Sequence, residues 1–332
     1  MVADLFTSAL PAYAELDCLS NFSFLTGASH PEELVERAAK LGYTALALTD
    51  ECSLAGVVRA HVQAAKHPDL QLIIGSRMAL DNGNHAPIEL VLLAQDKEGY
   101  GNLAELITLG RSRAEKGRYL LRPADLVTPA ARGLAGCLAI LTPPYGQAPA
   151  EMTAQAHWLA RHFRGRAWVG LSQLQRSRDD LHRAAVQQAA QAAGLPLVAI
   201  GQVHMHVRSR KPLHDTLTAI RSGRSVAQCG YDLAANAERH LRSRLRLAGL
   251  YPAEALAQTQ VIAQRCDFCL DEIRYEYPDE IVPQGETPTS YLRRVTYAAL
   301  PNDSLLAFPS RSANFWKKSS VSLPNCNTRP IS

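Results

Sequence analysis

The sequence predicts an α/β protein built on a mainly parallel sheet closed into a barrel. Short, near-continuous apolar runs recur along residues 12–207, and alanine-rich stretches with amphipathic helical spacing separate several of them. At least six such runs fall within about 190 residues, which suits a barrel better than an open, doubly wound sheet. A chain of 332 residues, 47% hydrophobic and 20% charged, is long enough to bury that core.

The elements follow in order. A strand over 13–19 leads to a helix opened by Ser29, with Glu32 three residues on as a capping box. Leu34, Val35, Ala38, Ala39 and Leu41 give the helix its apolar face, and Gly42 is placed to stop it. "YTALALT" is the next strand, apolar on both faces as in a buried parallel sheet. Further strands are "LQLIIG" (70–75), "IELVLLA" (88–94), "GCLAILT" (136–142), "RAWVGLS" (166–172) and "LPLVAIG" (195–201). Helical patterns cover 54–65, 98–113, 149–163 and 179–193. Beyond 207 the strands stop, and "KPLHDTLTAIRSG" and "AERHLRSRLRLAGLYPAEALAQTQVIAQRC" read as arginine-rich helices. "EIRYEYPDEIVPQGETP" is an extended linker, and "TSYLRRVTYAAL" begins another helix. The segment from 301 is rich in serine, proline and asparagine and reads as a disordered tail.

Bulk properties narrow the function classes. A net charge of +4 allows nucleic-acid contact without arguing for it. No apolar run reaches transmembrane length and the start lacks a signal-peptide pattern, so no membrane partner is expected. Seven scattered cysteines suit a reducing cytoplasm. "CDFC" has metal-knuckle spacing but no second pair. A P-loop and a serine nucleophile elbow are both missing, and capping explains "RDD" at 178–180.

Polar residues at strand ends are the candidates for chemistry. They are Asp17, Asp50 with Glu51, Arg77, Glu89 and the histidines of "GQVHMH", His204 and His206. Convergent carboxylates and imidazoles could hold a divalent metal, bind phosphate oxygens and activate water. The two histidines, two apart on a strand, would face the same way and could chelate. Arg77 opposes such a cluster, because a cation in the ring repels a metal. Loop capping by Asp17 and Asp50, a solvated Glu89 and a packed histidine account for the same residues without chemistry.

The ordered stretches "YAELDCLSNFSFLTGASHPEELVERAAKLGYTALALTDECSLAGVVRAH", "LIIGSRM", "LVLLAQDKEGYGNLAELITLGR", "GQVHMHVRSRKPLHDTLTAIR", "NAERHLRS" and "LDEIRYEYPDEIVPQGETPTSYLRR" resemble the N-terminal region of the bacterial error-prone DNA polymerases. That family is related to the replicative polymerase III alpha subunit, and the resemblance covers roughly residues 10–298. It implies a distorted (β/α)7 barrel of the polymerase and histidinol phosphatase (PHP) type, followed by a helical segment and a linker. The implied layout is a lead over 1–11, the barrel over 12–207 and an arginine-rich segment over 208–270 that completes or flanks it. A linker over 271–300 then runs toward a palm domain, and the tail over 301–332 departs from the family.

The resemblance also implies a ring of metal ligands. Asp17 and Leu19 occupy the positions of its His-x-His, and Thr49, Asp50 and Glu51 those of its Thr-Asp-His. Arg77 stands where a glutamate is expected, Glu89 where a histidine is, and Gln202, Val203 and His204 where Asp-x-His is. Only Asp50 and His204 keep the ligand type, with Asp17 and Glu89 as substitutes. The expectation is therefore a scaffold with a degenerate site that holds neither zinc nor manganese and needs no cofactor. Magnesium would serve the palm aspartates of a whole polymerase, and the chain is expected to be a truncated fragment, ended by a frameshift or early stop, that does not polymerise alone. Its expected partners are the rest of the polymerase and DNA, with weak DNA contact through Arg208–Arg246. The competing expectation is a metal-dependent phosphoesterase or 3′–5′ exonuclease using Asp17, Asp50, Glu89 and His204.

Overall fold

A computed structural model describes residues 10–127, 132–273 and 282–299. Seven strands form one sheet in sequence order: β1 (Ala14–Cys18), β2 (Ala45–Leu48), β3 (Gln71–Leu80), β4 (Ile88–Ala94), β5 (Cys137–Leu141), β6 (Ala167–Leu171) and β7 (Leu197–Ala199). The helices are α1 (Pro31–Lys40), α2 (Val57–Ala64), α3 (Lys97–Ser112), α4 (Pro149–His162), α5 (Asp179–Ala193), α6 (Lys211–Ser222), α7 (Arg244–Leu250), α8 (Ala253–Ala263) and α9 (Pro288–Ala299). This is the α/β architecture and the seven-stranded, curled sheet that the sequence implies.

The sheet departs from the parallel expectation at one strand. β4 runs antiparallel to both β3 and β5, while the other four pairings are parallel. Only residues 81–87 separate β3 from β4, too few for a crossover helix, so the chain turns back as a hairpin. The reversal has a functional consequence. It brings the beginning of β4, with Glu89, to the end of the sheet where the other strands finish.

Side chains alternate across the strands. Ala45, Ala47, Val91, Leu93, Leu138 and Ile140 point into the curled sheet and join Ile262, Ala263 and Cys266 at the end of α8. Leu46, Leu48, Leu90, Leu92, Ala139 and Leu141 belong to the outer core beneath the surrounding helices. α8 packs on β7 and β1, so part of the arginine-rich segment lies against the barrel.

β1 and β7 do not pair as strands. Beyond β7, the Leu19 N–H donates to Val203 O (2.8 Å) and the Val203 N–H to Asp17 O (2.8 Å). Deeper in the seam the Glu15 carboxylate takes the place of a ladder. Its Oε1 accepts from the N–H groups of Leu16 (3.1 Å), Asp17 (3.0 Å) and Gly201 (2.9 Å). Buried backbone donors need such partners, and here one side chain supplies them.

The local signals differ from the structure at one helix cap and in one stretch of helical pattern. α1 begins after His30 rather than Ser29, with Pro31 at its first position. Glu33, not Glu32, accepts from the His30 N–H (2.9 Å), because proline favours the first helical turn and shifts the frame by one. Residues 237–243, read as helix, lie outside any helix, and α7 starts only after the Ser243 cap. Gly42 and Gly194 follow their helices in the left-handed region, at φ 69° and 65°.

By contact density the chain divides into two units, Met1–Ile273 and Arg274–Ser332. The barrel and α1–α8 form the first, and α9 is the described element of the second. The expected tail over 301–332, residues 1–9 of the lead and residues 274–281 of the linker lie outside the described residues. No helix among the described residues is long and apolar enough to cross a membrane.

Candidate functional site

At the mouth of the barrel the chain places a guanidinium between two carboxylates. Arg77 lies within β3, which runs further than the sequence pattern suggested. Its Nη1 donates to Asp17 Oδ2 (2.7 Å) at the end of β1, and its Nη2 to Glu89 Oε2 (2.5 Å) on β4. The Asp17 side chain is fully buried and that of Arg77 is 15% exposed. Burial alone would lower the Arg77 pKa, but the charges of Asp17 and then Glu89 overcome it and raise it above the ordinary value. Two of the candidate ligands therefore converge, on a cation that belongs to the protein itself.

His204 is engaged on both ring nitrogens. Arg239 Nη1 lies 3.0 Å from its Nε2, and His214 Nε2 lies 3.1 Å from its Nδ1. A guanidinium can only donate, so His204 Nε2 accepts and its proton sits on Nδ1. That proton is then donated to His214 Nε2, which leaves the second proton on His214 Nδ1. Burial, followed by the Arg239 charge, pushes the His204 pKa well below the usual value and that of His214 down to about 4. Both imidazoles are thus neutral at pH 7, and the lone pair that a metal would use is occupied.

His206 does not join His204. Its Nδ1 lies 2.8 Å from Ser29 Oγ and 3.8 Å from Glu33 Oε2, so the expected chelating pair is corrected. β7 ends at Ala199, and a strand's two-residue periodicity does not carry through the following segment.

Asp50 is consumed by the loop after β1. Its oxygens accept from the Ser20 N–H (2.8 Å), Ser20 Oγ (2.7 Å) and Ser23 Oγ (2.7 Å). Burial raises its pKa although these bonds oppose the shift. The loop closes tightly at Gly27, where an added Cβ would stand 1.9 Å from the Ser20 carbonyl oxygen. We expect Gly27→Ala to cost about 2 kcal/mol in urea unfolding by forcing this turn apart; an unchanged midpoint would show that the loop yields freely. Glu51 Oε1 accepts from the Tyr119 hydroxyl (3.1 Å), which likewise turns it to structural use.

Five candidate residues, Asp17, Asp50, Glu51, Glu89 and His204, therefore each meet a protein partner. This donor set does not fit a divalent cluster, since two guanidiniums stand among the donors and the imidazole lone pair is taken. Among the described residues, metal-type ligand atoms converge instead at His61, Cys269 and Asp271, all within 4.8 Å of one another. His61 Nε2 is 3.2 Å from Asp271 Oδ1, and Cys269 Sγ is 3.5 Å from Asp271 Oδ2, so a surface ion pair beside a thiol accounts for the group. The "CDFC" spacing does not make a pair there. Cys266 is buried in the barrel interior with its thiol pushed up to about 12 by burial.

Sequence reasoning missed Glu15, Arg176, His214 and Arg239. The last three, with His204 and Arg221, line a pocket of about 350 Å³ beside the mouth. Four of the eight arginines of the 208–246 stretch are ion-paired within the protein: Arg210 with Glu33, Arg224 with Asp232, and Arg208 and Arg246 with Glu238. Arg242 is buried and donates to Gln173 O (2.6 Å) and the Tyr251 hydroxyl (2.9 Å).

Residues 15–167 match the family described as the PHP domain. The chain is 69% identical over 297 residues to an error-prone DNA polymerase of Bordetella parapertussis, covering 88% of this chain and 28% of that protein. It is 54% identical over 294 residues to an error-prone DNA polymerase of Dechloromonas aromatica, with the same two coverages. The chain thus spans little more than a quarter of the length of these curated relatives. Among solved structures, an amidohydrolase of Chromobacterium violaceum is similar at 18% identity and a TM-score of 0.45, covering 58% of this chain and 88% of that one.

Proposed function

We propose that this chain, which matches the PHP domain over residues 15–167 and is 69% identical to part of an error-prone DNA polymerase, is the non-catalytic barrel module of such a polymerase. One observation carries the reading. At the barrel mouth Arg77 takes the central place between Asp17 and Glu89, and Arg239 takes the Nε2 lone pair of His204. A mouth neutralised by its own cations keeps its shape without a metal and has no activated water to offer. The barrel's task is then to support and orient the remainder of the polymerase, in replication past damaged DNA, with magnesium serving that remainder.

Three measurements on the purified chain test this. Primer extension should show no nucleotide incorporation above a no-protein control. Metal analysis after purification without chelators should find no stoichiometric zinc, manganese or iron, and model phosphate esters should stay intact. Incorporation by the chain alone would overturn the scaffold reading. Stoichiometric metal together with phosphoesterase or 3′–5′ exonuclease turnover, lost in Asp17→Asn, would replace it with the hydrolytic one.

A further inference from the structure

At the end of the barrel opposite the mouth, the turn after α8 meets α2. Gln71, which opens β3, donates from its Nε2 to Cys266 O (2.5 Å). The Asp267 and Phe268 N–H groups donate to Gln95 O (2.9 and 3.1 Å), just past the reversed β4. Phe268 is buried, with its ring stacked on Tyr100 at 4.8 Å between centroids. Cys269 then starts a single 3-10 turn, Leu270–Glu272, and its N–H donates to Glu272 Oε1 (2.8 Å). The backbone is thus fixed on both sides of Cys269, while the helix α2 carries His61. Donors held on such rigid supports are preorganised.

Three donors of different kinds meet there. His61 Nε2 lies 3.2 Å from Asp271 Oδ1, although 210 residues separate the two. Cys269 Sγ lies 3.5 Å from Asp271 Oδ2, and one ligand atom from each residue falls within 4.8 Å of the others. Metal bonds of about 2.0 Å to nitrogen and oxygen and about 2.3 Å to sulfur, at tetrahedral angles, set N and O about 3.3 Å apart and S and O about 3.5 Å apart. As an ion pair beside a thiol, the chain already holds both contacts at those edge lengths. The charges also balance, since a thiolate and a carboxylate neutralise a divalent ion. Asp271 pairs with no lysine or arginine among the described residues. The mouth fails the same test, because guanidiniums stand among its donors. Imidazole and thiolate together select zinc-class ions over magnesium or calcium. Cys269 is the one exposed cysteine among the described residues and the Asp271 side chain is 81% exposed, so an ion can enter from solvent.

We propose that His61, Cys269 and Asp271 bind a zinc-class divalent ion as an exchangeable clasp between α2 and the turn that closes the barrel. Loading displaces the proton of the Cys269 thiol and any proton on His61 Nε2, and both leave to solvent. Glu272 is engaged with the Cys269 N–H, so water takes the fourth position. Exposure makes the ion exchangeable: it is taken up when zinc is supplied and lost during purification. The site stands at the far end of the barrel from the mouth, so the assignment goes beyond the scaffold reading and does not depend on it.

Zinc titration of the full chain, read by calorimetry and by melting temperature, tests this, with cobalt(II) as the spectroscopic probe. We expect one zinc per chain, a thiolate-to-cobalt charge-transfer band in the near ultraviolet, and no response to magnesium. Zinc about a hundredfold above its dissociation constant should raise the melting temperature by roughly 5 °C. Cys269→Ser should abolish the cobalt band, and His61→Gln and Asp271→Asn should each weaken zinc at least roughly tenfold. The three positions are exposed or half-buried, so the metal-free variants should melt close to the parent chain. The proposal is overturned if zinc does not bind saturably, if the cobalt band survives in Cys269→Ser, or if His61→Gln and Asp271→Asn bind zinc like the parent. Zinc binding lost in Asp17→Asn and kept in Cys269→Ser would put the ion at the mouth, and would overturn this site together with the metal-free mouth of the scaffold reading.

Discussion

Replacing Arg77 by methionine should destabilise the barrel by about 3–5 kcal/mol, on the order of 10 °C in melting temperature. Methionine fills a similar volume, so the loss reports charge rather than a cavity. What remains is Asp17, wholly buried, with its Oδ1 already lacking a hydrogen-bond partner, and Glu89, 26% exposed. Removing the guanidinium strips Asp17 of the donor to its other oxygen, and a buried carboxylate without a partner is among the costliest single defects. Glu89 contributes less, because water reaches it. Adding Asp17→Asn to Arg77→Met should return at least half of the lost stability, since the neutral amide no longer needs a counter-ion. Chemical denaturation of Arg77→Met, Asp17→Asn and the double variant completes a double-mutant cycle with the parent chain. Equal stability of the parent and Arg77→Met would mean that the mouth is solvated and that Arg77 is not its keystone.

The sequence made much of this fold legible because its signals are local. Leu46 and Leu48 alternate with Ala45 and Ala47, Gly194 follows α5, and Pro31 begins α1; each leaves its mark within a few residues. The reversal of β4 was harder to see, since a run apolar on both faces looks the same in either direction. Only the short stretch over 81–87 hinted at a hairpin. At the mouth, the candidates Asp17, Glu89 and His204 were readable from their places at strand ends, and Arg77 from the misfit of a cation among them. Arg239 and His214 were not readable. They come from segments 35 and 10 residues beyond His204 and reach it only through tertiary packing. Arg239 moreover lay in a stretch whose pattern resembled a helix. Glu15 was hidden for a different reason. An acidic residue two positions before Asp17 in a strand looks solvent-facing, and nothing local announces that the seam between β1 and β7 lacks a ladder.

That seam gives the second large effect. At pH 8 Glu15→Gln should be more stable than the parent chain, by up to about 3 kcal/mol, and the difference should vanish near pH 4.5. Burial pushes the Glu15 carboxyl up to about 7 from an ordinary 4.5, although the Gly201 and Asp17 N–H groups and the Tyr13 hydroxyl favour its charged form and Asp17 adds a like charge. Between those values the folded chain holds a proton that the unfolded chain has released. Its share of stability is therefore full below about 4.5 and is lost as the pH rises through 7. His204 and His214 act in the opposite sense, because their lowered values remove stability as the pH falls below the ordinary histidine range. The parent curve alone is a sum of these contributions and that of Asp50, and only the difference between the two chains isolates Glu15. Glutamine keeps an oxygen for the Leu16, Asp17 and Gly201 N–H groups and turns its amide toward the Tyr13 hydroxyl, so it loses the charge and keeps the seam. Glu15→Ala removes the acceptor as well and should be destabilised at every pH. A Glu15→Gln difference that stayed constant from pH 4.5 to 8 would mean that Glu15 is ionised in the folded chain throughout, held by those three backbone donors as an anion.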